Sequence, residues 1–436
     1  MSPTFLSLGV RNYRLWFLGA IVSNMGTWAG RVAQDWLVLV DLTDRDAAAL
    51  GVVTGLQFLP MLLLAPWAGL VADRFSKRRV LAITQTGMLL TSVLLGVFAL
   101  LGWATLAHVF VIAFVQGCFA AVDAPARQAF ASELVPMTLI SNAVSLNSAS
   151  FHLGRLVGPA LAGLVIAAFG TPAALLGNSA TFVAILFALA LMRPSELTRG
   201  AGAKGRGAIR EGIRYVRGRK DLQLLLFFVF MLGTFGLNFQ LTTALMATTV
   251  YGKGPKEFGL LGTAIALGAL AGSLLSARRA EPRLRVILVG LAGFVVASLA
   301  ASLAPTYATF AVLLVPCGLA ALTVMTTANA LVQVRVDPLM RGRVMALYMA
   351  IFMGGTPFGA PFIGWIGGHF GARWTILIGS VAIAVALVVA AIGLAREENV
   401  RVSFESQRRP RLRVGIGHAT PDLRDEVTEP EPEATR

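Results

Sequence analysis

Apolar runs of about 18 or more residues recur along most of this 436-residue chain, each long enough to cross a bilayer as a helix. They begin near Tyr13, Leu50, Val80, Thr105, Asn147, Pro172, Leu222, Phe258, Val286, Tyr307, Val344 and Trp374. Inside hydrocarbon every backbone N–H and C=O must find its partner within the protein, and a helix achieves that within one segment. Charged residues make up only 14% of the chain, where a soluble domain carries about a quarter. The expected fold class is all-α integral membrane, with twelve transmembrane helices.

The formal charge of +15 invites a nucleic-acid reading, so its placement matters more than its size. With both termini on one side of twelve spans, 31 of the 37 Lys and Arg residues fall on that side. Four (Arg45, Lys253, Lys256, Arg373) fall on the other, and Arg31 and Arg155 lie within spans. Such asymmetry is what membrane topology demands, with the basic side cytoplasmic. The reading is therefore a multi-pass protein of the cytoplasmic (inner) cell membrane with both termini inside. Its partner on this ground is the lipid bilayer, and nucleic acid is not needed. Cys118 and Cys317 both sit in apolar runs, which suggests neither a disulfide nor a zinc site. No metal or cofactor is implied. The first apolar run has no small-residue cleavage site after it and reads as a retained helix.

Two halves emerge. Residues 1–193 form an N-terminal six-helix bundle and 221–395 a C-terminal one. Residues 194–220 are a central cytoplasmic loop. Within that loop Ile209, Ile213 and Val216 recur at helical spacing among arginines, as in an amphipathic helix lying on the membrane surface. Gly26-Thr27 is echoed by Gly233-Thr234, and Gly158-Pro159 by Ala360-Pro361, about two hundred residues later. Parallel six-span repeats belong to transporters with a substrate path between the halves. Residues 396–436 turn polar and read as a disordered cytoplasmic tail.

Candidate chemistry begins in the first span, where Asn24, Thr27, Arg31 and Asp35 fall on one helical face with Gln34 at its edge. Ionisable groups within a span face the bundle interior or a watered cavity by default. Arg31 and Asp35, four residues apart, can pair. Burial and a neighbouring arginine act on a carboxylate in opposite senses. Asp35 is thus either a proton carrier or half of a permanent ion pair. In the fifth span stand His152, Gly154, Arg155, Gly158, Pro159 and Gly163. Pro159 removes a helical hydrogen bond and the small residues admit close helix contact. Arg155 either attracts an anionic group or pairs with an acid on another span. His152 reads as hydrogen-bonded structure rather than a relay.

Between the second and third spans, Gly69–Arg79 reads G-L-V-A-D-R-F-S-K-R-R. It resembles the loop-2/3 signature of the major facilitator superfamily, with Ser76 where that signature has glycine. G-x-x-x-G-P-x-x-A-G in span five resembles the superfamily's antiporter motif, with Ala162 in place of its usual glycine; ordinary small-residue packing is the alternative. The resemblance implies an inner gate of Gly69, Asp73, Arg74, Lys77, Arg78, Arg79 and Asp123. In it, Asp123 meets Lys77 or Arg78 and Asp73 meets the helix starting near Val344. Alternatively Asp123 is a helix-end acid that binds Arg127 or water. Ala113 stands where many proton antiporters carry arginine, which moves weight onto Arg31, Asp35 and Arg155. The stretches D-A-P-A-R-Q-A-F-A-S-E-L-V-P and D-P-L-M-R-G-R-V-M-A-L-Y narrow the likeness to the transmembrane secretion-effector branch, with its enterobactin-exporter-like members.

The likeness implies two pseudo-symmetric six-helix bundles that export amphiphilic small molecules in exchange for protons by alternating access. A dedicated exporter of one native metabolite, such as a siderophore, is the alternative within transport. A non-transporting scaffold or sensor is the alternative outside it. No phosphate loop or hydrolase motif appears, so an ATP-driven pump or an enzyme has no identifiable centre. A monomer is expected.

Overall fold

The computed structural model describes residues 3–197, 208–279, 281–337, 340–396, 400–405 and 411–416. Its helices are α1 (Arg11–Trp36), α2 (Ala47–Arg74), α3 (Lys77–Leu100), α4 (Leu106–Glu133), α5 (Ile140–Phe169) and α6 (Thr171–Leu191) in the first half. A short α7 (Ala208–Arg217) precedes the second half. That half comprises α8 (Lys220–Met231), α9 (Phe239–Leu245), α10 (Pro255–Ala277), α11 (Leu284–Ser302), α12 (Tyr307–Arg335), α13 (Arg341–Gly354), α14 (Thr356–Phe370) and α15 (Ala372–Arg396). Eleven segments are long and apolar enough to span a membrane. The first span adds a twelfth: α1 has 26 residues, about 39 Å at 1.5 Å per residue, but carries Arg11, Arg14, Arg31 and Asp35. This is the major facilitator fold of two pseudo-symmetric six-helix bundles.

Two spans are broken rather than straight. The seventh runs α8, a π-helical turn at Leu232–Gly236, α9 and a second π turn at Met246–Val250. The eleventh breaks at Gly355 between α13 and α14. The two breaks face each other, with Gly355 and Gly359 against Thr234. There Asn238 donates to Thr234 O at 2.7 Å, taking up a carbonyl freed by the irregular turn.

The repeat seen in the sequence is carried into packing. Gly51 and Gly55 on α2 lie against Ala360 and Pro361 of α14, and Gly259 and Gly262 on α10 lie against Pro159 of α5. These cross-half approaches sit in the first turns of α2 and α10, toward the end of the bundle away from Gly69–Arg79. The latter is called the basic end below.

Two expectations are revised. The central amphipathic helix is not laid wholly on the membrane: Val216 of α7 is buried, Gly212 rests on the Arg343 backbone, and Glu211 pairs with Arg343 at 2.6 Å. Ile209's side chain lies outside the described residues. In the tail, β1 (Val400–Glu405) and β2 (Arg411–Ile416) pair antiparallel, with Val402 opposite Val414 and Phe404 opposite Leu412. V-R-V-S-F-E and R-L-R-V-G-I alternate apolar with polar at a strand's period of two, a pattern that net polarity hides. Residues 397–399, 406–410 and 417–436 lie outside the described residues. By their contacts, residues 1–387 form one unit and 388–436 a second.

Candidate functional site

The first-span face resolves into three environments. Asn24 donates to Ser150 Oγ on α5 at 2.9 Å, while Thr27 bonds back to Ser23 O within its own helix. Arg31 spreads over two rings, 5.1 Å from the centroid of Trp28 and 5.3 Å from that of Phe58. Arg155 of α5 reaches the same Trp28, at 5.4 Å. One indole thus carries two guanidinium groups through its electron-rich face. Neither arginine makes an ion pair within 4 Å or a hydrogen bond among the described residues. His152 stacks edge-on against Phe151.

Asp35 is 2% exposed, and its Oδ2 has no hydrogen-bond partner. No ion pair joins it to Arg31, although they are one turn apart. Gln240 of α9, in the other half, lies beside its carboxyl, which also feels the charge of Arg31. Trp36, the next residue, stacks on Phe258 of α10 at 6.2 Å. Asp35 therefore stands where the two halves meet, near the end of the bundle away from the basic loop.

A second feature was not foreseen. Thr27, Arg31, Gln34, Gln57, Gln116 and Asn178 line a polar chamber of about 70 Å³ inside the N-terminal bundle. Gln34 Nε2 and Asn178 Oδ1 are buried there without partners. The chamber is large enough for water and polar enough to hold it. Its signal in the sequence is a lone amide in each of several apolar spans. Thr234 and Asn238 at the helix breaks are likewise polar groups that sequence reading did not place at a site; Thr234 Oγ1 and Asn238 Oδ1 are buried and unpartnered.

The span-five motif works as packing on both sides. Gly154 and Gly158 face Asn24, Met25 and Trp28 of α1, whereas Pro159 and Gly163 face α10 of the other half. Helix α5 is thereby held between α1 and α10.

At the basic end the implied pairing of Asp123 with Lys77 or Arg78 is not made. Asp123 accepts from Thr84 Oγ1 at 2.9 Å, Gln85 Nε2 at 2.7 Å and Arg127 Nε at 2.9 Å. Lys77 pairs with Glu133 at 2.7 Å, and Arg78 donates to Leu189 O at 2.9 Å. The reason is depth. Helix α4 continues through Pro125 to Glu133, so Asp123 lies ten residues, about 15 Å, back from the helix end where Lys77 begins α3. Arg74 and Arg79 are exposed. Gly69 has open space around its Cα, and the Asp73 side chain lies outside the described residues.

Twelve spans in two repeats, broken helices in spans seven and eleven, and a buried carboxyl between the halves define a secondary-transporter architecture. The chain belongs to the transmembrane secretion effector family of major facilitator transporters, whose model matches residues 3–414. It is 26% identical over 393 residues to the multidrug efflux pump Tap of Mycolicibacterium fortuitum, covering 85% of this chain and 93% of Tap. To the staphyloferrin A transporter of Staphylococcus aureus it is 33% identical over 180 residues, or 41% of this chain and less than half (45%) of that protein. Among solved structures, a bacterial homolog of the human lysosomal transporter Spinster, inward-facing and occupied, superposes with a TM-score of 0.68. That likeness has 16% identity and covers 91% of this chain and 98% of the other.

Proposed function

We propose that this protein exports amphiphilic small molecules in exchange for protons by alternating access, as a multi-pass protein of the inner membrane with its basic end and both termini cytoplasmic. The observation that carries the coupling is Asp35, a buried carboxyl with an unpartnered oxygen at the junction of the two halves. Both cross-half seams, Gly51 with Ala360 and Gly259 with Pro159, lie on the same side of the bundle as Asp35. In this reading they close the outer side, and the structure is the state open to the cytoplasm. Opening the seams brings outer water to Asp35, which takes a proton. Closing them buries the acid again, and cargo binding below it favours proton release inward. Arg31, Arg155 and Trp28 form the roof of the cargo cavity. Asn24, His152 and Thr27 complete its wall. Gly154, Gly158, Pro159 and Gly163 supply the surface on which α5 rocks.

The test is proton movement in inside-out vesicles, read with a pH-sensitive dye across a panel of amphiphilic compounds. The expected result is compound-dependent collapse of the gradient by wild type and none by Asp35→Asn. Equal collapse by both would remove Asp35 from the mechanism, and transport of the same compounds without any gradient would remove proton exchange altogether.

A second reading, export of one native metabolite, is favoured by two cations sharing one indole with no ion pair within 4 Å, a natural seat for an anionic group. The likeness to a staphyloferrin A transporter points the same way. A response to one acidic compound alone would select it.

A further inference from the structure

We propose that the basic end of the N-terminal bundle carries a binding site for the phosphate headgroup of an anionic phospholipid, seated between the start of α3 and the end of α6. An open cavity of about 900 Å³ lies there. Arg74, Lys77, Arg78 and Arg79 line one side, and Leu186 and Leu189 of α6 contribute an apolar side. Four cations meet a single carboxylate, Glu133, in this lining, so the cavity holds excess positive charge.

The four cations divide the work. Lys77 is tied to Glu133, and both side chains are largely buried. Arg78 is tied to the carbonyls of Leu189 and Ala190, which fixes the end of α6 against the start of α3. These two shape the walls. Arg74 and Arg79 are exposed and make no hydrogen bond or ion pair among the described residues, so their guanidinium groups are available to an anion. Guanidinium offers paired donors to phosphate oxygens. Ser76, the residue just before α3, does not cap the helix with its side chain, and the free first-turn N–H groups add to the same potential.

The apolar side decides the source of the phosphate. Leu189 is buried in the bundle core, but Leu186 of the same spanning helix is only half-buried, and Phe75 in the same lining is 56% exposed. A free phosphate would leave Phe75 and Leu186 uncovered, whereas an acyl chain covers them while its headgroup sits on the arginines. Basic pockets between spanning helices at the membrane surface suit anionic headgroups for this reason.

Binding of phosphatidylglycerol and of phosphatidylcholine with matched acyl chains to the purified full-length protein in detergent, followed by native mass spectrometry, tests this. The expected result is phosphatidylglycerol bound about tenfold tighter than phosphatidylcholine, with the preference lost in the double variant Arg74→Gln, Arg79→Gln. A control double variant, Arg278→Gln with Arg279→Gln, removes equal charge at another basic turn and keeps the preference. Equal binding of the two lipids overturns the site. So does the same loss in the control, which would mean diffuse surface charge. Displacement of phosphatidylglycerol by equimolar inorganic phosphate overturns the lipid assignment in favour of a free phosphate. None of these readouts depends on transport, so the proposal stands or falls apart from proton exchange.

Discussion

Gly259 of α10 lies directly against the carbonyl of Pro159 on α5, so close that a Cβ at position 259 would overlap it. In the second seam Gly51 of α2 does the same with Ala360, where a Cβ would come within 2.6 Å. The two seams are the same joint used twice, and both join one half of the transporter to the other.

Because the obstacle is backbone, a side chain at 259 cannot be accommodated by a rotamer change. Gly259→Val should hold the α5–α10 seam apart, at a cost on the order of 1–3 kcal/mol to the closed state. Spin labels across the outer ends of these helices should report a longer distance than in wild type, with transport lost. An unchanged distance would mean that the seam does not set the state.

The ion pairs at the basic end should couple as the geometry dictates. Lys77→Gln removes the 2.7 Å ion pair with the largely buried Glu133, and the variant should be destabilised. In a double-mutant cycle by thermal unfolding in detergent, Lys77 and Glu133 should show coupling. Lys77 and Asp123 should be additive within about 0.5 kcal/mol. Coupling between Lys77 and Asp123 instead would restore the gate pairing implied by family likeness.

Helix α7 should depend on close packing more than on charge. The Glu211–Arg343 pair has both side chains over two-fifths exposed, and such surface pairs contribute about 0–1 kcal/mol. Glu211→Ala should therefore leave hydrogen exchange in α7 close to wild type. Gly212→Val, which places a branched side chain against the Arg343 backbone, should speed it about tenfold or more. The reverse order would make the ion pair the true clasp.

Removing a buried donor that has no partner relieves its desolvation cost. Gln34→Leu deletes the unpartnered Nε2 of the polar chamber, and the melting temperature should hold or rise. A fall equivalent to more than about 1 kcal/mol would show that water in the chamber bonds this amide strongly.

How much was legible in advance follows the range of the interactions. Arg31, Asp35 and Arg155 stand out because an ionisable group in an apolar span is costly, and that cost is visible one span at a time. The partner of each is not. Arg31 faces Trp28 and Phe58 instead of Asp35, and Asp123 meets Thr84 and Gln85 instead of Lys77, since helix length through Pro125 sets its depth. The chamber amides Gln57, Gln116 and Asn178 come from three different spans, and no local pattern links them.

Span number and the two-fold repeat follow from the sequence alone, because hydrocarbon forces each apolar run to satisfy its own backbone. Which small residues become seams, which cations share a ring and which acid lies between the halves were decided by tertiary structure. Those are contacts between helices distant in the chain, and their geometry depends on how far along each axis two helices meet.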